Sequence, residues 1–331
     1  MTLSTRRGIF LRAAFATLCA WLAAGTAQAQ TPTPWPSRPI RWVVPYPAGG
    51  GTDQVSRLVA EKLSTALGQP VVIDNKPGAG TIIGADAVAK SPADGYTLLL
   101  GQPTSLAVNQ HLYAKLPYDP VGSFTPIAQL VRYPLFLVVG TDTRADNAKD
   151  LFALAKKEPL SYATGGNGSI VHLGTEMVKD KLGVNLQHIP FKAMVQAAPE
   201  VAANRVPFMF ADMPAIRPLL QSGKLKVLAT AEPQRSSLYP SAPTLAEAGL
   251  PAGLEFSTWV GLVAPRGTPQ PVVDRLSAEV RKILAMPDVR EKFVVMGVEA
   301  ADGTPEQFAR FIEAETVKWG TVIKANNIKP E

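Results

Sequence analysis

Two glycine-rich segments, residues 47–53 and 164–169, contain the residue types best suited to binding a small anion. Glycines allow backbone amides to approach a ligand closely, and the start of a helix favours negative charge. Each segment lies between a predicted strand and a predicted helix, and Thr52, Thr164 and Ser169 add hydroxyl donors. Either segment alone is explained equally well as a tight turn with a helix cap. Because two such segments occur far apart in the chain, together they predict a two-sided clamp for a carboxylate.

The sequence lacks the motifs of common nucleotide-binding and hydrolytic enzymes. Gly51 is followed by Thr52 where a Walker loop requires lysine, and the glycines of residues 78–84 miss the dinucleotide spacing by one position. Neither a Gly-x-Ser-x-Gly motif nor a His-Glu-x-x-His motif occurs. A hydrolase with Ser169 as nucleophile and His172 as base remains an alternative, although a lone histidine in a first helical turn is more often a packing or capping residue. The motifs therefore favour a binding protein over an enzyme, with no cofactor and no metal site.

Four further residues are candidates for contacts with the rest of a ligand. Asp212 follows a predicted strand and either selects ligand amines or hydroxyls or caps the next helix. Arg132 either forks onto a second carboxylate or lies on the surface, and Tyr133 has a ring on which a ligand can stack. Phe210, at the end of the predicted strand that precedes Asp212, is a candidate for setting the length and polarity of the ligand.

The first 29 residues have the form of an export signal. Arg6, Arg7 and Arg12 lead into an apolar run at residues 13–24, followed by a small-x-small cleavage pattern at residues 27–29. Residues 5–10 fit a twin-arginine signal, and an ordinary secretory leader fits as well. We therefore expect a periplasmic protein, with residues 1–29 excluded from the fold.

The composition of the remaining chain excludes several classes of function. Removal of the three leader arginines lowers the net charge from +6 to +3, and no dense basic patch typical of nucleic-acid binding occurs. The only cysteine, Cys19, lies in the leader, so the mature chain has neither disulfides nor a thiolate nucleophile. With 331 residues and 46% hydrophobic content, the chain is long enough for two lobes.

Short apolar runs alternate with helical patterns from residue 40 onward, which predicts an α/β fold with a mainly parallel sheet. The clearest predicted helices are residues 53–67 and 272–284, and the last fifty residues are predicted to be helical with breaks at Pro287 and at Thr304-Pro305. The predicted strands are residues 40–46, 70–74, 96–100, 135–140, 160–163, 206–210, 226–230 and 259–264.

Many ordered segments resemble the Bug family, the solute-binding receptors of tripartite tricarboxylate transporters. The segments that carry the resemblance are PIRWVVPY at residues 39–46, GGGTD at 49–53, LGQPVVIDNKPGAG at 67–80, DGYTLL at 94–99, LPYDP at 116–120, GNGS at 166–169, PTLAEAG at 243–249 and WVGLVAP at 259–265. The resemblance implies a two-lobed type II periplasmic binding protein, a Venus flytrap that closes around a small carboxylate. It implies lobe 1 at residues 30–130 and 231–331 and lobe 2 at residues 131–230.

The resemblance also implies which residues hold the carboxylate, through backbone amides and hydroxyls of the two glycine-rich loops. These are Tyr46, Ala48, Gly49, Thr52, Thr164, Gly165, Asn167, Ser169 and His172, with Thr104 and Ser105 as neighbours. The implied partners of this monomer are integral-membrane permease subunits, or alternatively a membrane sensor kinase that recognises the closed form. Phe191, Ala193 and Pro207 depart from the family pattern, which leaves the contacts to the far end of the ligand open.

Overall fold

The computed structural model describes residues 35–330. The predicted signal peptide at residues 1–29, with its twin-arginine pattern, lies outside the described residues. All elements given below belong to one compact unit that begins at Arg38. Among the described residues, no helix has both the length and the apolar character needed to cross a membrane.

The described part of the chain forms eleven strands and ten α-helices. The strands are β1 Ile40–Val44, β2 Val71–Asn75, β3 Thr97–Gly101, β4 Phe124–Tyr133, β5 Leu135–Gly140, β6 Leu160–Thr164, β7 Leu186–Pro190, β8 Phe208–Asp212, β9 Leu225–Thr230, β10 Thr258–Pro265 and β11 Glu299–Ala300. The helices are α1 Gly51–Leu67, α2 Ile82–Ala89, α3 Asn109–Leu112, α4 Ala148–Ala155, α5 Ile170–Leu182, α6 Met194–Ala202, α7 Met213–Gln221, α8 Gln270–Ala285, α9 Pro287–Met296 and α10 Pro305–Ala325. A 3₁₀ turn at Ala79–Thr81 precedes α2, and a π-helical turn at Thr104–Val108 precedes α3.

Two separate sheets share these strands. The first has the order β11-β4-β10-β3-β1-β2, and the second has the order β7-β6-β8-β5-β9. The strand pairs β1–β2, β1–β3, β6–β7 and β6–β8 are parallel, whereas β5 pairs antiparallel with β8 and β9 and β10 pairs antiparallel with β3 and β4. The α/β class is confirmed, but the prediction of a mainly parallel sheet is wrong, because the strands that connect the two sheets run against their neighbours.

All eight predicted strands are present with small shifts at their ends, and three strands were missed. β4 contains Pro126 and polar residues at irregular spacing, so its pattern does not alternate cleanly. β7 is short and half-polar, and β11 has only two residues. Because β4 extends to Tyr133, Arg132 and Tyr133 are the last two residues of a strand. The lobe boundaries given above remain a prediction.

The predicted helix ends are confirmed where the capping chemistry is strong. Thr304 and Gln307 form a reciprocal capping box at the start of α10, with Thr304 Oγ1 accepting from the Gln307 amide at 3.3 Å. α1 ends at Gly68 in the left-handed conformation (φ 68°). Its apolar face, which includes Val55, Leu58 and Leu63, is buried as the helical periodicity predicted.

A buried carboxylate fastens the C-terminal helix to the first sheet. Glu315 of α10 accepts hydrogen bonds from the indole nitrogens of Trp259 at 3.2 Å and Trp319 at 2.8 Å, and from Lys318 Nζ at 3.3 Å. The glutamate and both tryptophans are buried. A buried indole N–H without an acceptor costs free energy, so one side chain satisfies two such donors at once.

Replacement of Glu315 with alanine should therefore destabilise the protein strongly. We expect Glu315→Ala to lower the free energy of unfolding by about 3 kcal/mol, because it leaves two buried indole donors without an acceptor. Glu313→Ala, on the exposed face of the same helix, should change it by less than about 0.5 kcal/mol. Urea unfolding of both variants measures the difference, and equal stability of the two would contradict this role of Glu315.

Candidate functional site

One cavity is lined by residues that follow strands of both sheets. Its volume is about 350 Å³, within the range that small-molecule sites occupy. The first sheet and its loops contribute Tyr46, Gln102, Thr104 and Thr258, and the second contributes Leu135, Gly165, Ser169, Ile170, Val171, Ala193 and Met194. None of these lining residues carries a charged side chain.

The second glycine-rich loop presents the start of α5 to this cavity. Ser169 is the N-cap residue, and its hydroxyl accepts from the His172 amide at 3.3 Å and donates to the Gly166 carbonyl at 2.8 Å. The first amides of a helix have no acceptor within the helix. Because Ser169 caps only the amide of His172, the amides of Ile170 and Val171 are the donors that the helix offers to a ligand.

Glycine is required in this loop for conformational and steric reasons. Gly168 has a φ of +67°, and a Cβ added there would lie 2.9 Å from Leu112 Cδ1. A Cβ on Gly165 would lie 3.0 Å from the backbone nitrogen of Met194, in the wall of the cavity. At Gly165 the loop therefore approaches α6 so closely that a larger residue would require the two backbones to shift apart.

The first glycine-rich loop, residues 47–53, contributes no residue to the cavity lining, although Tyr46 just before it does. Ala48 and Gly49 are exposed beside it, and the Gly49 amide already donates to Asp53 Oδ2 at 2.8 Å. Thr52 lies in the first turn of α1 and is also outside the lining. The N-cap residue of α1 is Gly50, which offers no side-chain acceptor to the free amides of that turn.

Two lining residues that follow strands of the first sheet, Tyr46 and Gln102, form a pair that leaves one buried donor unpaired. The Tyr46 hydroxyl donates to Gln102 Oε1, and burial raises the pKa of this hydroxyl, which keeps it protonated. With its oxygen occupied, Gln102 directs its amide nitrogen elsewhere, and that Nε2 is buried with no partner among the described residues. Ser105 holds Gln102 from behind, since its Oγ lies 3.2 Å from both the backbone nitrogen and the carbonyl oxygen of Gln102. Ser105 is thus a positioning residue that does not line the cavity.

His172 and Thr164 support the second loop from behind. The His172 ring accepts from the Gly168 amide at 3.1 Å through Nδ1 and stacks on His188 with ring centroids 3.8 Å apart. Burial, and then the charges of His188 and Lys179, lower the pKa of His172 to about 4, so the ring is neutral at pH 7. Thr164 Oγ1 lies 2.6 Å from His188 Nε2. The side chains of Thr164 and His172 are therefore both used in contacts that support the loop.

The geometry does not support a Ser169–His172 nucleophile pair. Ser169 Oγ contacts the backbone amide of His172, whereas the ring nitrogen Nδ1 accepts from Gly168. A general base must hold the hydroxyl proton through its ring nitrogen. Within the described residues, no group of three or more His, Cys, Asp or Glu is arranged to hold a metal ion.

Asp212, Tyr133 and Asn167 are not among the lining residues of this cavity. Asp212 caps α7 by accepting from the Ala215 amide at 3.1 Å, as one of its two predicted roles requires, and burial raises its pKa to about 6. Tyr133 is 6% exposed and its hydroxyl has no partner among the described residues. Asn167 is exposed and lines a neighbouring cavity of about 330 Å³, which shares Thr104 and Ser169 with the first.

Two candidates lie away from the cavity. Phe210 is completely buried in the core, where its ring packs edge-on against Phe256 with centroids 4.9 Å apart. Arg132 lines a different, smaller cavity of about 140 Å³ with Glu232 and Glu299. The structure therefore does not bring Arg132 to the place where a second carboxylate of a ligand in the first cavity would lie.

The sequence reasoning missed most of the cavity wall. Gln102 directly follows β3, and ligands of open α/β sheets bind at the carboxyl ends of strands, so its position was a usable signal. Leu135, Ile170, Val171 and Met194 have the pattern of ordinary core residues, and their position at the cavity depends on how the two sheets meet.

Comparisons with known proteins place the chain in a narrow group. The family model described as tripartite tricarboxylate transporter family receptor matches residues 55–328. The periplasmic binding protein BugD is 34% identical with a TM-score of 0.71, covering 90% of this chain and 100% of that chain. A protein of R. palustris solved with adipate is 37% identical (TM-score 0.76, covering 90% and 100%). MatC of Rhodopseudomonas palustris, solved with malate, is 31% identical (TM-score 0.71, covering 87% and 100%).

The depressed pKa of His172 makes stability depend on pH in a predictable direction. The unfolded ring takes up a proton near its ordinary pKa of 6.5, but the folded ring does so only near pH 4. Its contribution is therefore complete above pH 6.5 and is lost as the pH falls toward 4. Since solvent screens part of the effect, we expect a loss on the order of 2 kcal/mol.

His172→Asn isolates this contribution, because asparagine keeps an acceptor for the Gly168 amide but does not titrate. Thermal unfolding at pH 7 and pH 4 should show a smaller acid-induced loss in the variant than in the wild type. The exposed His111→Asn serves as the control and should retain the wild-type loss. Identical acid sensitivity in His172→Asn and wild type would show that His172 is not the group responsible.

Proposed function

This chain belongs to the tripartite tricarboxylate transporter receptor family, and we propose that it captures a small organic carboxylate in the cavity between its two sheets. The match over residues 55–328 and the likeness to BugD confirm the resemblance to the Bug receptors and the periplasmic-binding-protein fold. The family consists of solute-binding receptors, so the chain is a binding protein and not an enzyme.

The observation that carries the proposal is the unpaired amide nitrogen of Gln102. A buried N–H donor without an acceptor costs free energy, and a carboxylate oxygen removes that cost. Ile170 and Val171, whose amides are free in the first turn of α5, and Thr104, which carries a hydroxyl, line the same cavity. Several neutral donors around one cavity match the several lone pairs of a carboxylate.

The solved relatives support the ligand class. One R. palustris protein is solved with adipate, and MatC is solved with malate, and both of those ligands are carboxylates. The carboxylate is the feature that the two ligands share, and it is the group for which the donors of this cavity are suited. Ala48, Gly49 and Thr52 lie two to six residues after Tyr46 in the chain, and we assign them to the same anion when the cleft closes.

We further propose the cellular setting in which the capture takes place. The leader at residues 1–29 would export the chain to the periplasm, where it would act as a monomer and deliver its ligand to integral-membrane permease subunits. Lobe 1 at residues 30–130 and 231–331 and lobe 2 at residues 131–230 would close by a hinge at the strands that connect the two sheets.

A thermal-shift screen with carboxylic acids at millimolar concentration tests the proposed function. A ligand present at one hundred times its Kd should stabilise the native state by about 2.7 kcal/mol and raise Tm by about 5 °C. The corresponding primary amides are the controls, since they have the same shape without the charge and should produce no shift. The absence of a shift with every acid would overturn the proposal.

Substitution of Gln102 tests the observation on which the proposal rests. We expect Gln102→Leu in a Tyr46→Phe background to weaken carboxylate binding at least about tenfold, because the unpaired amide donor is removed. Tyr46→Phe alone is the matched control. Because both variants lack the Tyr46 hydroxyl, neither leaves that hydroxyl without its acceptor, and the two differ only at residue 102. Isothermal titration calorimetry measures both affinities, and equal affinities would show that Gln102 does not contact the ligand.

A further inference from the structure

We propose, resting on the function proposed above, that the ligand is a monocarboxylate whose far end donates a hydrogen bond to Asp212 and, where it carries an oxygen, accepts one from Tyr133, and that dicarboxylates are rejected. The relevant ligands are hydroxy and amino monocarboxylic acids, defined by a carboxylate at one end and a hydroxyl or ammonium group at the other. Asp212 and Tyr133 act as specificity-determining residues in this assignment.

The cavity provides hydrogen-bond donors for one carboxylate but no positive charge for a second. The side chains of its lining residues are all uncharged, and the donors that suit a carboxylate are grouped at Gln102 and the start of α5. Arg132, the cation best placed by sequence to accept a second carboxylate, lines the other cavity with Glu232 and Glu299. Lys192 precedes the lining residue Ala193 but is exposed, so its charge is screened by solvent.

Strand register brings Asp212 and Tyr133 to the cavity side of their sheets. Asp212 is paired with Leu135 across β8 and β5, and Tyr133 is paired with Thr258 across β4 and β10. Directly paired residues of antiparallel strands project to the same face of a sheet. Because Leu135 and Thr258 both line the cavity, the side chains of their partners project to that same face.

Tyr133 and Asp212 are close enough to influence each other. Burial, and then the charges of Asp212 and Tyr46, raise the pKa of the Tyr133 hydroxyl. That hydroxyl is buried and has no partner among the described residues. Tyr46, the other residue whose charge acts on Tyr133, lines the cavity.

The charge of Asp212 decides which ligand end is accepted. Its Oδ1 accepts from the Ala215 amide, so Oδ2 is the oxygen that remains for a ligand. Because its pKa is raised only to about 6, the side chain is mainly ionised at pH 7. Two carboxylates in a site of reduced polarity repel each other. A hydroxyl or ammonium group instead donates a hydrogen bond to Asp212, and a hydroxyl oxygen also accepts one from Tyr133.

A matched ligand series tests the inference with the full-length mature protein. Hexanoate, ω-hydroxyhexanoate, ω-aminohexanoate and adipate share one carbon skeleton and differ only at the far end. The four-carbon series from butanoate to succinate is titrated in parallel, so that chain length does not decide the result. We expect adipate and succinate to bind at least about tenfold more weakly than the hydroxy or amino acid of the same length.

Two variants and one control assign the discrimination to the named residues. Asp212→Asn keeps the helix cap and removes the charge, so it should reduce the discrimination against dicarboxylates at least about fivefold and weaken binding of the amino acid. Tyr133→Phe should weaken binding of the hydroxy acid at least about threefold without lowering Tm, since the hydroxyl has no partner to lose. Asp146→Asn removes an exposed charge from the same part of the chain, where Asp146 pairs with Lys226, and should leave the discrimination unchanged.

The possible outcomes separate this inference from the proposed function. If adipate or succinate binds as tightly as its hydroxy counterpart, the inference is overturned while capture of carboxylates stands. Tightest binding by hexanoate or butanoate also overturns it, because the far end of the cavity would then favour an apolar group. If none of these acids nor any other carboxylate binds, both the inference and the proposed function fail.

Discussion

The first turn of an α-helix cannot satisfy its own amide groups, and this constraint shapes the proposed site. Helix α5 begins at Ile170 in the wall of the cavity, and Ser169 caps only one of the free amides. The glycines at positions 165 and 168 are needed to bring this turn so close to α6 and Leu112. The loop that we propose to bind the ligand therefore tolerates larger side chains poorly at these positions. The stacking of His172 on His188 supports the loop on its other side.

A site built from neutral donors has a consequence for selectivity. Neutral donors stabilise one carboxylate without a counter-ion, but they offer nothing to neutralise a second one. Arg132, which would supply that charge, lines another cavity together with Glu232 and Glu299. In the proposed specificity, the buried acid Asp212 adds repulsion at the far end of the ligand. Affinity for the common group and selectivity for the rest of the ligand are thus assigned to different sets of residues.

The fold class and the capped helix ends could be predicted from the sequence, because periodicity and capping chemistry act over a few residues. The starts of α5 and α10 at Ser169 and Thr304 were predicted for this reason. The cavity wall could not be predicted in the same way, since Phe210 and Leu135 are both apolar strand residues and only the assembled sheets place one in the core and the other at the cavity. Gln102 was missed because its position after β3 is the only local signal that it has, and its role depends on the Tyr46 hydroxyl, which is distant in sequence.

A crystal structure of the protein with a bound carboxylate tests the central claim most directly. The account predicts carboxylate oxygens within about 2.7–3.2 Å of Gln102 Nε2 and of the Ile170 or Val171 amide, with no lysine or arginine side chain in contact. An acid bound in the cavity of Arg132 and Glu232, or one held mainly by a cationic side chain, would contradict it.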